Sequence, residues 1–300
     1  MNEDKYAQLI SGEINRPQGL VRNTIILLEG GATIPFIARY RKEMTGSMDE
    51  VEITQIRDRL AQLRDLDSRR EAILKSLREQ EKLTPELEQA VEGASTLAEL
   101  EDIYLPYRPK RRTRAGIARE KGLEPLAELI LSQRFDDIES RAAAFLDEEK
   151  GVSTVAEAIA GACDIIAEKV NEDGMARKKI RTLFQRKAQV NARVVKGKEG
   201  EGINFDMYFD YREPLYKAPS HRLLAMFRGE NEGFLRLSFE VDESEAHEIL
   251  HRQFIRGNNA SSLLVRDAIT DGCKRLLFPS METEMKQWAK ETADREAIRV

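Results

Sequence analysis

The sequence predicts a mainly α, multihelical protein with a helix-turn-helix-like unit, one long helix and a small β element. Three observations predict this class. Apolar residues recur at three- and four-residue spacing over most of the chain, which is typical of amphipathic helices. Capping residues, prolines and glycines separate these segments. The alternation typical of strands is confined to about residues 189–241.

Composition narrows the class further. Charged residues make up 34% of the chain, and the 41% apolar residues are enough to build a core. No run of 18 apolar residues occurs, so we expect no membrane span. Cys163 and Cys273 are too few for a disulfide framework or a cysteine zinc site. The N-terminus, MNEDKYAQLI, is not a secretory signal, so we expect a cytoplasmic protein.

The first helices form a helix-turn-helix-like unit at about residues 17–46. Pro17 begins an amphipathic helix that reaches Glu29, and a glycine pair follows it. Pro35 opens a second helix, predicted at 36–44, which Gly46 ends. The pair and its glycine-containing turn have the length of a helix-turn-helix, although most such pairs only pack together. The cations of the second helix that we expect to contact nucleic acid are Arg39, Arg41 and Lys42.

The longest periodic segment is predicted as one helix at about 49–82. Ser47 and Glu50 have the spacing of a capping box. Asp67 and Arg70 interrupt an apolar stripe that we expect to be buried. That stripe consists of Ile53, Ile56, Leu60, Leu63, Leu66, Ile73, Leu74 and Leu77.

The hydrophobic pattern changes from helical spacing to alternation near residue 189. We place a boundary there between a first domain, 1–188, and a second, 189–300. QVNARVV and INFDMYF, separated by KGKEGEG, predict a β-hairpin around a glycine-rich turn. FLRLSFEV, residues 234–241, predicts a further strand, and helices resume at about Glu243.

The sharpest charge anomaly is YLPYRPKRRTRAGIAREK, residues 104–121, predicted as a basic loop. It carries a net charge of +6, so the other 282 residues carry −11. Pro106 and Pro109 favour extended backbone, and Tyr104 and Tyr107 would be available to stack on bases. The alternative is that these cations pair with acidic helices of the same protein. The cations that we expect to contact phosphates are Arg108, Lys110, Arg111, Arg112 and Arg114.

A zinc peptidase is an alternative that the sequence disfavours. His247 and His251 belong to HEILH, which matches the H-E-x-x-H pattern of two zinc ligands and a general base. A catalytic zinc needs three protein ligands, and neither downstream pattern that would supply the third is present. Its flanks, Glu245 and Arg252, are charged. We therefore predict no metal, no cofactor and no catalytic residues.

Several stretches carry a specific resemblance. They are LLEGGATIPFIARYRKEMTG, LEDIYLPYRPKRRTRAGIAREKGLEPLA, PSHRLLAMFRGENEG and RLLFPSMETEMKQWA. Together they resemble the N-terminal region of the bacterial transcription accessory protein family, Tex, which is related to a eukaryotic transcription elongation factor. The resemblance implies a helical region that precedes an RNase-H-like domain, helix-hairpin-helix elements and an OB-fold RNA-binding domain. It implies no metal and no catalytic residues in this region.

The sequence thus predicts a non-enzymatic scaffold that makes auxiliary, sequence-nonspecific contacts with RNA or DNA. The chain ends within a helical pattern, EAIRV, so we expect it to be part of a longer protein. The alternative is a protein-interaction scaffold whose basic loop docks an acidic partner such as the transcription machinery. No membrane and no small-molecule substrate are expected.

Overall fold

The computed structural model describes residues 3–109 and 112–297. Packing divides the chain into two compact units, Met1–Tyr107 and Arg108–Val300. The boundary predicted at residue 189 falls inside the second unit, and that division into domains stays a prediction. The mainly α class is confirmed, because most of the described elements are helices and the described strands form one small antiparallel sheet. Among the described residues, no helix combines the length and apolar character needed to cross a membrane.

The first unit is helical throughout its regular structure. Its helices are α1 Glu3–Ile14, α2 Gln18–Glu29, α3 Ile34–Tyr40, α4 Lys42–Thr45, α5 Glu50–Glu79, α6 Pro85–Gly93 and α7 Leu97–Tyr104. A short 3₁₀ turn, Leu105–Tyr107, follows α7.

Helix α5 organises the core of the first unit. All eight apolar positions of the predicted stripe are buried, which confirms the prediction. The N-terminal half of the stripe packs with α1, α2 and α3, and the C-terminal half packs with α6 and α7. One long amphipathic helix therefore supports two separate apolar clusters.

The start of α5 differs from the prediction. The capping box is formed by Asp49 and Glu52, not by Ser47 and Glu50. The Glu52 N–H donates to Asp49 Oδ1 at 2.8 Å, and the Asp49 N–H donates to Glu52 Oε2 at 3.1 Å. Ser47 has a φ of 60°, so it belongs to the left-handed turn before the helix. The extended backbone that an N-cap requires is reached at Asp49 instead.

Asp67 and Arg70 are the two charged residues that interrupt the apolar stripe of α5. The Arg70 guanidinium pairs with Asp67, and it also donates to the Val91 and Ala94 carbonyls at 3.1 and 2.8 Å. The Tyr6 hydroxyl donates to Asp67 Oδ2 at 2.7 Å. The pair joins α5 to α1 and to the end of α6, so the break in the stripe is a polar crosslink between the two clusters.

The second predicted helix, 36–44, is wrong as one piece. The backbone breaks at Arg41, whose φ of −129° and ψ of 28° are not helical. Two short helices, α3 and α4, result. Gly46 ends α4 as predicted, with a φ of 65°. A side chain there would also clash, because its Cβ would lie 2.4 Å from Leu20 Cδ1.

The second unit contains the remaining helices and the sheet. Its helices are α8 Arg114–Glu120, α9 Glu124–Ser132, α10 Ile138–Ala142, α11 Val155–Glu172, α12 Gly174–Lys187, α13 Ser220–Asn231, α14 Glu243–Phe254, α15 Ala260–Gly272 and α16 Phe278–Ala297. A π-helical turn, Cys273–Leu277, joins α15 to α16.

The sheet has three antiparallel strands in the order β2-β1-β3. They are β1 Gln189–Val194, β2 Asp210–Pro214 and β3 Leu235–Glu240. Val190 of the central strand lies opposite Glu213 on one side and Phe239 on the other. The predicted last strand is therefore confirmed.

The predicted hairpin is partly wrong. INFDMYF is mostly a 3₁₀ segment, Ile203–Tyr208, and the strand that pairs with β1 begins only at Asp210. The physical reason is the burial pattern: Phe205 and Tyr208 are the buried residues of this segment, and their three-residue spacing matches a 3₁₀ turn.

Helix α11 lies at the centre of the second unit. It contacts α8, α9, α15 and the π-helical turn, and its alanine-rich face is buried. Gly272 of α15 lies so near α11 that a Cβ there would be 3.1 Å from the Ala167 carbonyl oxygen. Small residues at this crossing allow the two backbones to approach closely.

Candidate nucleic-acid interface

The predicted cations of the first unit lie on an exposed surface beside two aromatic rings. We define the α3–α4 surface as Phe36, Arg39, Tyr40, Arg41 and Lys42. Tyr40 is 64% exposed and Phe36 is 38% exposed. Their ring centroids are 5.5 Å apart and the ring planes are tilted by 42°. Large exposed rings at a spacing of four residues form a contiguous aromatic face on one helix.

The α3–α4 surface faces outward because α3 packs on the core of the first unit through its opposite face. Ile37 is the one buried residue among the seven of α3. It belongs to the apolar cluster that contains Ile53 and Ile56 of α5. Ile34 and Ala38 are partly buried against the same cluster, which leaves the two aromatic rings and Arg39 at the surface.

The charges on this surface are weakly engaged. Arg41 Cζ lies 5.1 Å from the centroid of the Phe36 ring, and Arg41 Nη1 donates to the Tyr40 carbonyl at 3.1 Å. Arg39 is 3.9 Å from Glu50, and the two side chains are 70% and 51% exposed. An exposed pair at that distance contributes little free energy, so a phosphate competes with it readily. Lys42 is exposed at the start of α4.

The predicted basic loop, 104–121, is not one loop. A 3₁₀ turn occupies Leu105–Tyr107, so the predicted extended backbone around Pro106 is wrong, and α8 begins at Arg114. Threonine at 113 caps α8, and its hydroxyl accepts from the Gly116 N–H at 2.9 Å. Between these elements, residues 108, 109, 112 and 113 are irregular, and Lys110 and Arg111 lie outside the described residues.

We call residues 104–121 the basic segment, and its cations have different environments. Arg108, Arg112 and Arg114 are exposed. Arg112 lies 3.7 Å from Glu120, and both of these side chains are more than 60% exposed. Burial raises the pKa of Asp164, and the charges of Arg275 and, to a smaller extent, Arg114 oppose that rise without cancelling it. These cations keep access to solvent.

Arg119, in contrast, belongs to an internal ion-pair network. Its Nη1 donates to Glu168 at 2.6 Å and its Nε donates to Glu124 at 2.7 Å. Glu168, whose side chain is 7% exposed, also accepts from the Thr113 hydroxyl at 3.2 Å. Lys169 lies 2.6 Å from Glu124.

The network favours the charged forms of Arg119 and Glu124. Burial lowers the pKa of Arg119, but the hydrogen bonds and charges of Glu168 and Glu124 outweigh burial and leave it raised. Burial likewise raises the pKa of Glu124, and Lys169 and Arg119 together leave it lowered. The alternative prediction, that these cations pair with acidic helices of the same protein, therefore holds for Arg119. Lys121 also turns inward, donating to the Gly151 carbonyl at 2.7 Å.

The two tyrosines of the basic segment are not a stacking platform. Tyr104 is buried at 6% exposure and belongs to the apolar cluster of α5, α6 and α7. Its hydroxyl lies 2.9 Å from Ser76 Oγ, and Arg69 lies over its ring at 5.6 Å. Tyr107 packs partly buried against the same cluster. The expectation that these rings meet bases is wrong, because Tyr104 is a core residue of α7 and Tyr107, in the following 3₁₀ turn, packs against the same cluster.

Phe36 and Tyr40 were not among the residues predicted from the sequence. The signal was present in PFIARY, where two aromatic residues four apart flank a single core-directed isoleucine. In a helix, that spacing places both rings on one face. The exposed aromatic rings therefore lie on the α3–α4 surface and not, as predicted, in the basic segment.

The histidine pair of HEILH lies on α14 and lacks a third ligand. The centroids of His247 and His251 are 6.2 Å apart, and His247 stacks on Phe278 at 5.9 Å. Both Nε2 atoms are buried and have no hydrogen-bond partner among the described residues. Across residues 3–109 and 112–297, no group of three His, Cys, Asp or Glu side chains has the arrangement to hold a metal ion. Burial, Arg266 and His247 lower the pKa of His251 against the opposing charge of Glu248.

Comparison with known protein families identifies two matching regions. Residues 4–78 match the Tex-like protein N-terminal domain, and residues 134–300 match the Tex central region-like model. The first match contains the α3–α4 surface. The second begins after the basic segment and covers most of the second unit.

Individual relatives extend the similarity over the whole chain. Protein YhgF of Escherichia coli is 43% identical across 100% of this chain and 40% of its own length. The transcriptional accessory protein Tex of Neisseria gonorrhoeae is 39% identical across 98% of this chain and 39% of its own. The human S1 RNA-binding domain-containing protein 1 is 26% identical across 99% of this chain and 31% of its own. The chain thus spans about two fifths of its bacterial relatives.

Proposed function

This chain belongs to the Tex family, and on that premise we propose that it is a non-enzymatic region of a cytoplasmic transcription accessory protein that contacts nucleic acid without reading sequence. The names of two relatives support the proposal: one is a transcriptional accessory protein and another contains an S1 RNA-binding domain. The contacts are made to phosphates and to base faces, which are present in every sequence.

The α3–α4 surface is the observation that carries this proposal. Arg39, Arg41 and Lys42 supply three cations within four residues, and Tyr40 presents an exposed ring between them. Cations bind phosphates, and an aromatic ring stacks on a base that is free of a duplex. The combination favours single-stranded nucleic acid, because paired bases do not expose their faces to a protein ring.

The basic segment is the second proposed contact. Arg108, Arg112 and Arg114 supply its described cations, and Lys110 and Arg111 lie between them in the sequence. Without an exposed ring, this segment contacts phosphates alone. Such contacts add affinity and salt dependence to single strands and duplexes alike.

The experiment that tests the proposal is a salt titration of fluorescence anisotropy. A labelled 20-nucleotide single strand and the corresponding duplex are bound to the 300-residue chain. We expect a Kd of about 10⁻⁴ to 10⁻⁶ M at physiological salt. Replacing Arg39, Arg41 and Lys42 together by Ala removes up to three contacts, so the log-log salt slope on single strands decreases by about 2, at roughly 0.7 per contact.

Two further triple variants complete the design. Replacing Lys110, Arg111 and Arg112 by Ala is expected to flatten the duplex slope by about 2 to 3, at roughly 0.9 per contact. The control replaces three exposed lysines elsewhere, Lys150, Lys274 and Lys290, and is expected to keep the parent slope. If the control loses as much as the other two, binding is diffuse and the proposed surfaces are wrong. If the parent binds neither probe, the proposed function fails.

A further inference from the structure

A cleft of about 680 Å³ lies between α12 and α14 of the second unit. The two helices run antiparallel, as two hydrogen bonds show. Lys187 Nζ donates to Glu245 Oε1 at 2.6 Å, and Lys179 Nζ donates to Gln253 Oε1 at 2.8 Å. These contacts link the two helices that form the cleft.

The floor of the cleft is apolar. Leu183 is buried within the main core, Ile249 is partly buried against it, and Met175 is 58% exposed at one end. None of the described residues that line the cleft is aromatic. Leucine, isoleucine and methionine make a surface for aliphatic side chains, and methionine adapts to different shapes.

The rim of the cleft is strongly basic. It carries five cations and one carboxylate, a net +4, in a chain whose overall charge is −5. The carboxylate, Glu245, is already paired with Lys187. Lys178 and Arg186 are exposed on α12, eight residues apart. At about 1.5 Å per residue, their Cα atoms are separated by about 12 Å along the helix, or about two turns.

We propose that this cleft binds an acidic amphipathic helix of a partner protein. Its aliphatic face lies on Met175, Leu183 and Ile249, and its carboxylates reach Lys178 and Arg186. The lining of α12 from Met175 to Lys187 is about 18 Å long, which suits a helix of about three turns. This is the groove type of peptide recognition, in which apolar anchors give affinity and flanking charges give orientation.

The lining favours a peptide over nucleic acid. The cations of the rim are able to contact phosphates, but the floor supplies aliphatic carbon and, among its described residues, no ring on which a base stacks. The proposal goes beyond the nucleic-acid contacts of the α3–α4 surface and the basic segment. Failure of those contacts would leave it standing, because different residues in different helices are involved.

The test uses two fluorescein-labelled 14-residue peptides and the 300-residue chain. The first peptide places leucines on one helical face and glutamates beside it, with two glutamates eight positions apart. The second has the same composition in scrambled order. Anisotropy is expected to show binding of the first peptide at least tenfold tighter than of the second, since only the first can present an apolar face and a charged edge together.

Two variants locate the binding. Lys178→Glu with Arg186→Glu is expected to weaken the first peptide at least tenfold, through repulsion of its carboxylates. Lys274→Glu with Lys290→Glu makes the same charge change on exposed residues outside the cleft and is expected to leave binding unchanged. Met175→Ser, at an exposed position, is expected to weaken the peptide several-fold without changing circular dichroism.

Three results would overturn the proposal. The first is equal binding of the two peptides, or no binding of either. The second is equal loss in the cleft and control charge reversals, which would make the attraction diffuse. The third is a labelled single-stranded oligonucleotide that loses affinity in Lys178→Glu with Arg186→Glu as strongly as the peptide does, which would make the cleft a nucleic-acid site.

Discussion

The α3–α4 surface and the basic segment look alike in sequence and differ in the structure. Both place arginines beside aromatic residues. In the first, the rings of Phe36 and Tyr40 are exposed with the cations. In the second, Tyr104 is a core residue and Arg119 is held by Glu168 and Glu124. The position of each residue on its helix determines whether its side chain is available to a ligand. A helix buries one face, so cations and rings on that face are removed from solvent and those on the other face stay exposed.

A count of cations therefore overestimates a binding surface. Of the described cations in the basic segment, Arg119 and Lys121 make internal hydrogen bonds that serve the fold. The shorter run at 39–42 carries fewer charges, but it keeps them beside an exposed ring. Three measurements test this distinction, and a fourth concerns a partly buried histidine elsewhere in the second unit; they are given in order of the size of the change that we expect.

The largest effect concerns the support beneath the α3–α4 surface. Leu60→Ala is expected to lower the free energy of unfolding by about 2 to 5 kcal/mol, because Leu60 belongs to the buried cluster that holds Ile37. Denaturant unfolding followed by circular dichroism measures the change. The matched variant Ile26→Ala, at a position 48% exposed on α2, is expected to change it by less than about 0.5 kcal/mol. A negligible shift for Leu60→Ala would mean that α5 does not support this surface.

The second effect separates internal from exposed cations of the basic segment. Glu168→Ala removes the acceptor of Arg119 and of Thr113, and we expect a loss of about 1.5 to 3 kcal/mol in the free energy of unfolding. Arg112→Ala is expected to stay within about 0.5 kcal/mol, since its exposed pair with Glu120 contributes little. Equal losses in both variants would remove the distinction between the two kinds of cation.

The third effect tests the aromatic component. Tyr40→Ala is expected to weaken binding of a single-stranded oligonucleotide by about 1 to 3 kcal/mol, the range for one stacked base, and to leave duplex binding nearly unchanged. The control is Tyr216→Ala, which removes a ring of nearly equal exposure, 63%, in the second unit. Fluorescence anisotropy measures both. Lys217 lies 5.5 Å from the centroid of the Tyr216 ring, so an equal loss in Tyr216→Ala would mean that any exposed ring with one adjacent cation is enough for stacking.

The smallest effect concerns the pH dependence of stability, because burial opposes the protonation of His251. Burial lowers the pKa of His251 below its ordinary value of 6.5, so the unfolded chain takes up this proton more readily than the folded chain. His251 therefore contributes stability above about pH 6.5, and the contribution is lost as the pH falls from there through the lower folded pKa. The unfolding midpoint of His251→Gln is expected to depend less on pH between about 7.5 and 5.5 than that of the parent. His221→Gln, at an exposed position, is expected to keep the parent dependence.

Sequence reasoning reached the parts of the fold that depend on local periodicity. The stripe of α5 was predictable residue by residue, because its apolar positions repeat over about seven turns and leave one face for burial. Strand β3 was predictable because Leu235, Leu237 and Phe239 alternate and are all buried. In both cases a single regular pattern determines which side chains turn inward.

The remainder depended on tertiary contacts that no local pattern records. INFDMYF contains the residues of a strand, but Phe205 and Tyr208 are both drawn into the core by a 3₁₀ turn. The inward turn of Arg119 depends on Glu168, which lies 49 residues away in the sequence. For the candidate surface, Arg39, Arg41 and Lys42 were predictable from their charge. The exposure of Tyr40 and the burial of Tyr104 were not, because the partners of each ring are set by packing.

The π-helical turn at Cys273–Leu277 carries a genetic consequence. It fits an additional residue into a helix that continues unbroken from Ala260 to Ala297. Each residue of an α-helix advances the side-chain direction by about 100°. A π-helical turn takes up one residue more than an α-helical turn, so deleting one codon within it would leave a regular α-helix and keep Met281, Met285 and Ala289 directed at the core. Most single-codon deletions in helices shift the face of a whole segment out of register; in this gene the π-helical turn is a place where one codon can be lost while α16 keeps its phase.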